Sequence, residues 1–91
     1  MSNIQLKIVV EGRVQKVGYR RFILNTAAEF SLKGTVQNKE NGTVEIHVQG
    51  TQMKLDQFLE WCYKGSPIAK VSKIDIEETP ITNYNSFNII K

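Results

Sequence analysis

Apolar residues recur at two different spacings along this chain, and the order of those spacings limits the fold more than any other feature. Alternation at every second position is typical of strands, whereas repeats at three and four residues are typical of helices. The order predicted here is strand, helix, strand, strand, helix, strand, with a short strand at the end. The strands are expected at about residues 4–11, 35–38, 44–49, 71–76 and 87–90, and the helices at 21–32 and around Leu55–Cys62.

This order predicts one arrangement of layers. Two strand-helix-strand units of this kind form one antiparallel sheet with both helices on one face. We therefore expect an α+β protein, a ferredoxin-like α/β sandwich (βαββαβ) with a short C-terminal strand. A chain of 91 residues has room for one hydrophobic core, so residues 1–91 make a single domain. The first and third strands should be central neighbours, and the hairpin after Asn38 should lie beside the loop that leaves the first strand.

Residues that end helices and strands set the expected boundaries. Gly34 is predicted to stop the first helix, and Gly50-Thr51 to begin the second. Asn41-Gly42 predicts a hairpin, because both residue types tolerate positive φ. In the fourth strand the alternation slips by one residue between Val71 and Ile74, so the pattern does not define the edges of that strand.

The loop between the first strand and the first helix, Gly12–Arg20, holds the densest cluster of positive charge in the chain. A loop that opens a helix directs several backbone N–H groups to one spot, where the positive end of the helix dipole adds to them. Arg20 offers a planar fork to two oxygens of a phosphate or carboxylate, with Arg13, Lys16 and Arg21 nearby in sequence. The loop matches neither Walker A nor GxGxxG. Its residues favour a phosphoryl-binding loop; the alternative is a surface connection with solvated basic side chains.

Composition agrees with an anionic ligand without choosing it. The net charge is +3 and the pI is near 9.1, which suits a small phosphate or a nucleic acid. Cys62 is the only cysteine, which excludes an intramolecular disulfide and a cysteine-based zinc cluster. The apolar run Ile8-Val9-Val10 is too short for a signal peptide or a membrane span, so we expect a cytoplasmic protein without a membrane partner.

Few other side chains are suited to catalysis. Asn38 is either a local backbone cap or an amide that holds water in line with a bound phosphoryl group. His47 has no Ser, Cys or carboxylate at motif spacing and is interpreted as a surface histidine, and Cys62 as a packing residue. The acidic residues form no metal-like cluster and no acid/base pair. Such an enzyme would act through positioning and charge stabilisation, on a reactive, high-energy phosphate.

Two long segments of the chain resemble the signatures of the acylphosphatases, which hydrolyse the mixed anhydride of a carboxylic acid and phosphate. The first is Val10–Arg20, read as VEGRVQKVGYR, and the second runs from Gly34 through Asn38 and Asn41-Gly42 to Gly50. Gly65–Val71 and the ending at Phe87–Ile89 also fit the family's pattern, so the resemblance covers nearly the whole chain.

The resemblance implies a site and a reaction. Arg20 would be the catalytic arginine that binds phosphate, and Asn38 would orient the attacking water, whose proton passes to the substrate's own phosphate. No metal or cofactor is implied. The substrate would be a small acyl phosphate, inorganic phosphate would be a product or inhibitor, no nucleic acid would bind, and a monomer is expected. The implied phosphate-binding backbone belongs to Gln15, Lys16, Val17, Gly18, Tyr19 and Arg20.

Three positions depart from the family's pattern. Lys16 stands where glycine is usual, Tyr19 where phenylalanine is usual, and Thr35 where an aromatic residue is common. Lys16 matters most, because a left-handed backbone there costs a non-glycine residue about 1–2 kcal/mol, while its ammonium adds charge to the loop or blocks it. One alternative is therefore a catalytically weak relative. A second alternative is an RNA-recognition-like binding module, because such domains have the same order of elements and this chain is basic. The second would need aromatic residues on the central strands, and neither Ile4–Glu11 nor Thr43–Gln49 contains one.

Overall fold

A computed structural model describes residues 2–91 and confirms the predicted order of elements. The elements are β1 (Ile4–Arg13), α1 (Tyr19–Glu29), β2 (Lys33–Asn38), β3 (Val44–Gly50), α2 (Gln52–Lys64), β4 (Lys70–Thr79) and β5 (Phe87–Ile90). The strands belong to one sheet, in the order β4-β1-β3-β2-β5, and β2 and β5 are its parallel pair. Both helices pack on one face, which gives the expected ferredoxin-like α+β fold.

The core lies between the sheet and the helices. In the central antiparallel pair, Ile8 of β1 stands opposite Ile46 of β3, and both are fully buried. The apolar positions of these strands alternate with polar ones, because successive side chains point to opposite faces. From the helices, Ile23 and Phe58 complete the core and are likewise fully buried.

The first helix begins and ends earlier than its predicted range of 21–32. It begins at Tyr19 because Gly18 adopts a left-handed conformation, φ 77°, and serves as the N-cap. It ends at Glu29 because Ser31, φ 56°, takes the left-handed position that usually belongs to glycine. The prediction that Gly34 stops this helix is wrong. Gly34 lies in β2, where a Cβ would come within 1.8 Å of the His47 carbonyl oxygen.

The end of the first helix is a Schellman motif. The Ser31 N–H donates to the Ala28 carbonyl at 3.1 Å, and the Leu32 N–H donates to the Ala27 carbonyl at 2.9 Å. This pattern satisfies two of the last carbonyls of α1 and turns the chain directly into β2.

The slipped alternation in the fourth strand is a β-bulge. Glu11 pairs with Lys73 and Gly12 with Val71, so Ser72 has no opposite residue in β1. The extra residue restores the pairing of Ile74 and Ile76 with the core-facing positions of β1.

The connection from β4 to β5 crosses the sheet face that has no helices. Gln5 and Gln49 are cross-strand partners, both buried, and their side-chain amides hydrogen-bond at 2.8 Å. Gln5 Oε1 also accepts from the Thr82 N–H at 2.9 Å, and Gln49 Nε2 donates to the Thr82 carbonyl. These bonds fix the crossing segment and so place β5 beside β2.

Candidate active site

The loop from β1 to α1 is shaped by two buried apolar anchors and two left-handed residues. Val14 and Val17 are buried in the core, while Lys16, φ 61°, and Gly18, φ 77°, reverse the chain between and after them. Left-handed residues in a short loop turn neighbouring N–H groups toward one side and form an anion-binding concavity. Lys16 therefore does adopt the strained conformation that its sequence position suggested.

The start of α1 adds to this positive potential. Gly18 has no side chain with which to cap the helix, and the first turn, Tyr19–Phe22, contains no acidic residue. The first backbone N–H groups of a helix have no intrahelical partner, and they carry the positive end of the helix dipole. Arg20 and Arg21 stand at this end, where the dipole disfavours cations. An anion bound here would compensate both.

The loop and the helix start enclose a cavity of about 170 Å³. This is smaller than the ~300–1,000 Å³ of drug-sized ligand sites and suits a small anion. Within residues 2–91, its lining holds no acidic side chain. Ile89 of β5 closes one wall, a contribution that sequence reasoning missed, since nothing in a short terminal strand marks a site residue. The lining residues are Val14, Lys16, Gly18, Tyr19, Arg20, Arg21 and Ile89.

Gln15 anchors the loop to the β2–β3 hairpin. Its side-chain Nε2 donates to the Lys39 carbonyl at 2.8 Å and to the Thr43 carbonyl at 2.9 Å. The predicted position of the hairpin beside the basic loop is thereby confirmed. The Gln15 side chain serves this link, so only its backbone N–H is available to an anion.

Two further hydrogen bonds anchor the loop to α2 and to the turn after it. The Ser66 hydroxyl donates to the Val17 carbonyl at 2.9 Å, and both residues are buried. The Tyr19 hydroxyl donates to the Cys62 carbonyl at 2.9 Å, in the last turn of α2. The extra hydroxyl that distinguishes Tyr19 from phenylalanine therefore has a structural partner. These contacts span more than 40 residues of sequence, and no local pattern signals them.

Asn38 lies at the end of β2, opposite Val44. Its side-chain Oδ1 is buried and has no hydrogen-bond partner among residues 2–91. A buried carbonyl oxygen without a partner costs about 1–3 kcal/mol, so this atom favours a hydrogen-bond donor such as water. Asn38 lines a second hollow of about 560 Å³ with other hairpin residues, distinct from the cavity that Arg20 lines. Gln15, from the loop that lines the first cavity, donates to the carbonyl oxygen of Lys39, which lines the second.

Of the predicted phosphate-binding residues, four line the cavity and two do not. Lys16, Gly18, Tyr19 and Arg20 line it, whereas Val17 is buried in the core and the Gln15 side chain is turned to the hairpin. The predicted set therefore divides into a cavity-lining group and a group that holds the loop in place.

The remaining candidate nucleophile and the histidine lie outside this cavity. Cys62 is fully buried, and desolvation raises the pKa of its thiol to about 12, which agrees with the predicted packing role. Burial likewise raises the pKa of Tyr19. His47 does have a carboxylate partner, because Glu45 Oε2 lies 2.9 Å from its Nε2 on the sheet face opposite the helices. Within residues 2–91 no group of three or more His, Cys, Asp or Glu side chains is placed to hold a metal ion.

Neither helix of the described chain has the length and apolarity that crossing a bilayer requires. Fold and cavity together define a small α+β protein of the ferredoxin-like class, with a basic loop that lines a small cavity at the start of α1.

Comparison with known proteins gives the family. The family model for acylphosphatase matches residues 6–89. An acylphosphatase of Bacillus licheniformis is 44% identical over 87 residues, which cover 94% of this chain and 97% of that protein. An acylphosphatase of Archaeoglobus fulgidus is 40% identical over 86 residues, with 94% and 97% coverage. The crystal structure of acylphosphatase from Bacillus subtilis superposes with a TM-score of 0.94 at 37% identity, covering 97% of this chain and 99% of that one.

The chain belongs to the acylphosphatase family, and it is an acylphosphatase hydrolase. Its substrates are accordingly small acyl phosphates, and inorganic phosphate is a product.

Proposed function

We propose that the phosphoryl group of the acyl phosphate is bound by Arg20 and by the backbone N–H groups of residues 15–20. Arg20 holds two phosphate oxygens in its planar fork, and the N–H groups bind the remaining charge. The observation that carries this proposal is the start of α1, which has no side-chain cap and no acidic residue yet presents two arginines to one cavity. Such an end favours an anion.

Asn38 orients the attacking water. Its side-chain amide, whose Oδ1 has no hydrogen-bond partner among residues 2–91, hydrogen-bonds that water and turns a lone pair of the water oxygen toward phosphorus. The water oxygen forms a bond to phosphorus while the bond from phosphorus to the acyl oxygen breaks, and the electron pair leaves with the carboxylate. A carboxylic acid has a pKa of about 4, so the leaving group needs no general acid. The water's proton passes to a phosphate oxygen, so the reaction proceeds without a metal ion or a protein base.

In this proposal the enzyme is a cytoplasmic monomer that acts on a small-molecule substrate and binds neither nucleic acid nor a membrane. The modest volume of the cavity, about 170 Å³, supports a small ligand. Inorganic phosphate competes with substrate, because it presents the same oxygens to Arg20. Sedimentation of the pure protein tests the monomer, and a dimer at assay concentration would contradict it.

The test is hydrolysis of benzoyl phosphate, with and without EDTA. Rapid hydrolysis that EDTA does not change is expected. Arg20→Lys keeps the charge but loses the fork, so kcat/KM should fall by about 10³-fold or more, by analogy with arginines that stabilise phosphoryl transfer. Arg13→Lys is the matched control: Arg13 ends β1 outside the cavity lining, and its variant should keep full activity.

Asn38→Ala separates orientation of water from binding of phosphate. We expect kcat to fall about 100-fold, the scale of one lost positioning contact, while the inhibition constant of inorganic phosphate stays within about twofold. Asn25→Ala, on an exposed position of α1, serves as the control. Normal turnover in Asn38→Ala would refute the water-orienting role, and full activity in Arg20→Lys would refute the proposed phosphate site.

A further inference from the structure

The cavity holds more positive charge than the proposed reaction uses. Lys16, Arg20 and Arg21 all line it. The ion pairs of residues 2–91 include none of the three. A phosphate group carries about 1.5 to 2 negative charges near neutral pH. Arg20, the loop N–H groups and the helix dipole already match that charge, so Lys16 and Arg21 are surplus to the phosphoryl group.

The three cations differ in depth. All three line the same cavity, but Arg20 is half-buried, whereas Lys16 and Arg21 are exposed to solvent. A phosphoryl group held on Arg20 would lie inward, and the rest of the substrate would extend outward past the other two. The acyl part of the substrate therefore meets positive charge where it leaves the site.

Lys16 also occupies an unusual backbone position for a lysine. Its φ of 61° is one that glycine adopts freely and that a side chain makes unfavourable. Arg21 stands in the first helical turn, where the dipole opposes a cation. The backbone preference at Lys16 and the dipole preference at Arg21 are thus both violated, and both residues place a positive charge at the same cavity. A second anionic group on the ligand would be attracted by both.

We propose that Lys16 and Arg21 bind a carboxylate on the acyl part, so that the enzyme prefers acyl phosphates whose acyl group is itself negatively charged. This inference rests on the proposed function, because it takes the transferred phosphoryl group to lie on Arg20. Lys16 and Arg21 are specificity residues in this scheme, since they contact the end of the substrate that does not react.

The test compares matched substrates that differ only at the remote end. These are benzoyl phosphate, its 3- and 4-carboxy derivatives, and the neutral 3- and 4-carbamoyl derivatives. The ratio of kcat/KM for carboxy over carbamoyl substrate isolates the remote charge, because effects on the phosphoryl group cancel. At low salt the wild type should favour at least one carboxy isomer by about fivefold, the scale of an exposed ion pair of ~1 kcal/mol. At 0.5 M NaCl, screening should lower that preference to near unity.

Lys16→Gln and Arg21→Gln should each reduce the ratio at low salt, and the double variant should abolish the preference. Lys33→Gln is the charge-matched control. Lys33 is exposed and begins β2, whereas Asn38 ends it, so this variant should keep the wild-type ratio. Equal kcat/KM for carboxy and carbamoyl substrates of the wild type would overturn the inference. So would variants that slow all substrates equally, which would assign Lys16 and Arg21 to the phosphoryl group. If the wild type hydrolysed none of the substrates, the proposed function itself would fail.

Discussion

Replacing Lys16 by glycine should make the protein more stable. Among residues 2–91, Lys16 and Ser31 are the two non-glycine residues with positive φ, at 61° and 56°. Such a conformation costs a side-chain-bearing residue about 1–2 kcal/mol. Replacement by glycine relieves this cost, but it also gives the unfolded chain more conformational freedom, which lowers stability by about 0.4–1 kcal/mol. The net expectation for Lys16→Gly is a gain of about 0.5–1 kcal/mol, or about 2–8 °C in Tm for a domain of this size.

Thermal and urea unfolding of a small variant set measures this gain. Lys16→Ala removes the same charge but keeps a side chain at φ 61°, so it should show no comparable gain. Ser31→Gly relieves the equivalent strain at the other end of α1. That helix has 11 residues, so the two sites lie ~16 Å apart and their gains should add within about 0.5 kcal/mol.

Benzoyl phosphate hydrolysis by the same proteins separates strain from function. Ser31→Gly should be as active as the wild type, because Ser31 lies at the far end of the helix from the cavity. A change in rate in Lys16→Gly but not in Lys16→Ala would then report the loop backbone, and a change shared by both would report the lost ammonium. If Lys16→Gly were no more stable than Lys16→Ala, the strain assigned to this position would be refuted.

Tyr19→Phe should lower stability by about 1–3 kcal/mol, since the buried Cys62 carbonyl loses its donor; unchanged thermal unfolding would contradict this. Ser66→Ala likewise removes the hydrogen-bond donor of the Val17 carbonyl and should lower stability. It should also raise the inhibition constant of inorganic phosphate, because the loop loses an anchor; a change in stability alone would show that the loop keeps its shape without this bond. The hydrogen bond from His47 lowers the pKa of Glu45, so the unfolded chain binds its proton more readily. The interaction of ionised Glu45 with His47 therefore stabilises the folded state above the ordinary glutamate pKa, and this contribution is lost as the pH falls through the lowered pKa. Urea unfolding of Glu45→Gln should accordingly show a flatter loss of stability with acid than the wild type.

The order of elements was predictable because it rests on periodicity, which each segment carries in its own residues. Even the slip between Val71 and Ile74 corresponds to a real bulge at Ser72. Boundaries were less predictable, because they depend on single backbone conformations. Glycine is the residue type that commonly ends a helix, yet Ser31 ends this one. Gly34 instead lets the neighbouring strand β3 approach closely, because a side chain there would meet the His47 carbonyl.

The hairpin illustrates the same limit. Asn41-Gly42 predicted the hairpin because both residue types tolerate positive φ, and of the two only Gly42 adopts it, at 92°. Asn41 acts through its side-chain Oδ1, which accepts hydrogen bonds from the Thr43 N–H at 3.1 Å and from the Thr43 hydroxyl at 2.7 Å. Residue types marked the turn correctly, but they did not distinguish a backbone role from a side-chain role.

The shape of the candidate site was predictable where it is local and not where it depends on the whole fold. The loop and Arg20 follow from neighbouring residues, because a strand, a short basic loop and a helix start are contiguous in sequence. Ile89 and Ser66 reach the loop only after the sheet and α2 have assembled. Both residues fall in segments that resemble the family's pattern, but their side chains carry no chemical signature, so the sequence did not assign either of them a role at the loop.

The loop is held from three independent parts of the fold, and this bears on how so few groups can support catalysis. Gln15 bonds to the hairpin, the Val17 carbonyl to Ser66, and Tyr19 to α2. Each bond uses a side chain or a carbonyl, so the backbone N–H groups that would face a phosphate are left free. A site that works by preorganised donors must hold them in place before the substrate arrives, because any reordering would be subtracted from transition-state stabilisation. The contacts that hold this loop in shape are therefore the ones on which the proposed phosphate site depends.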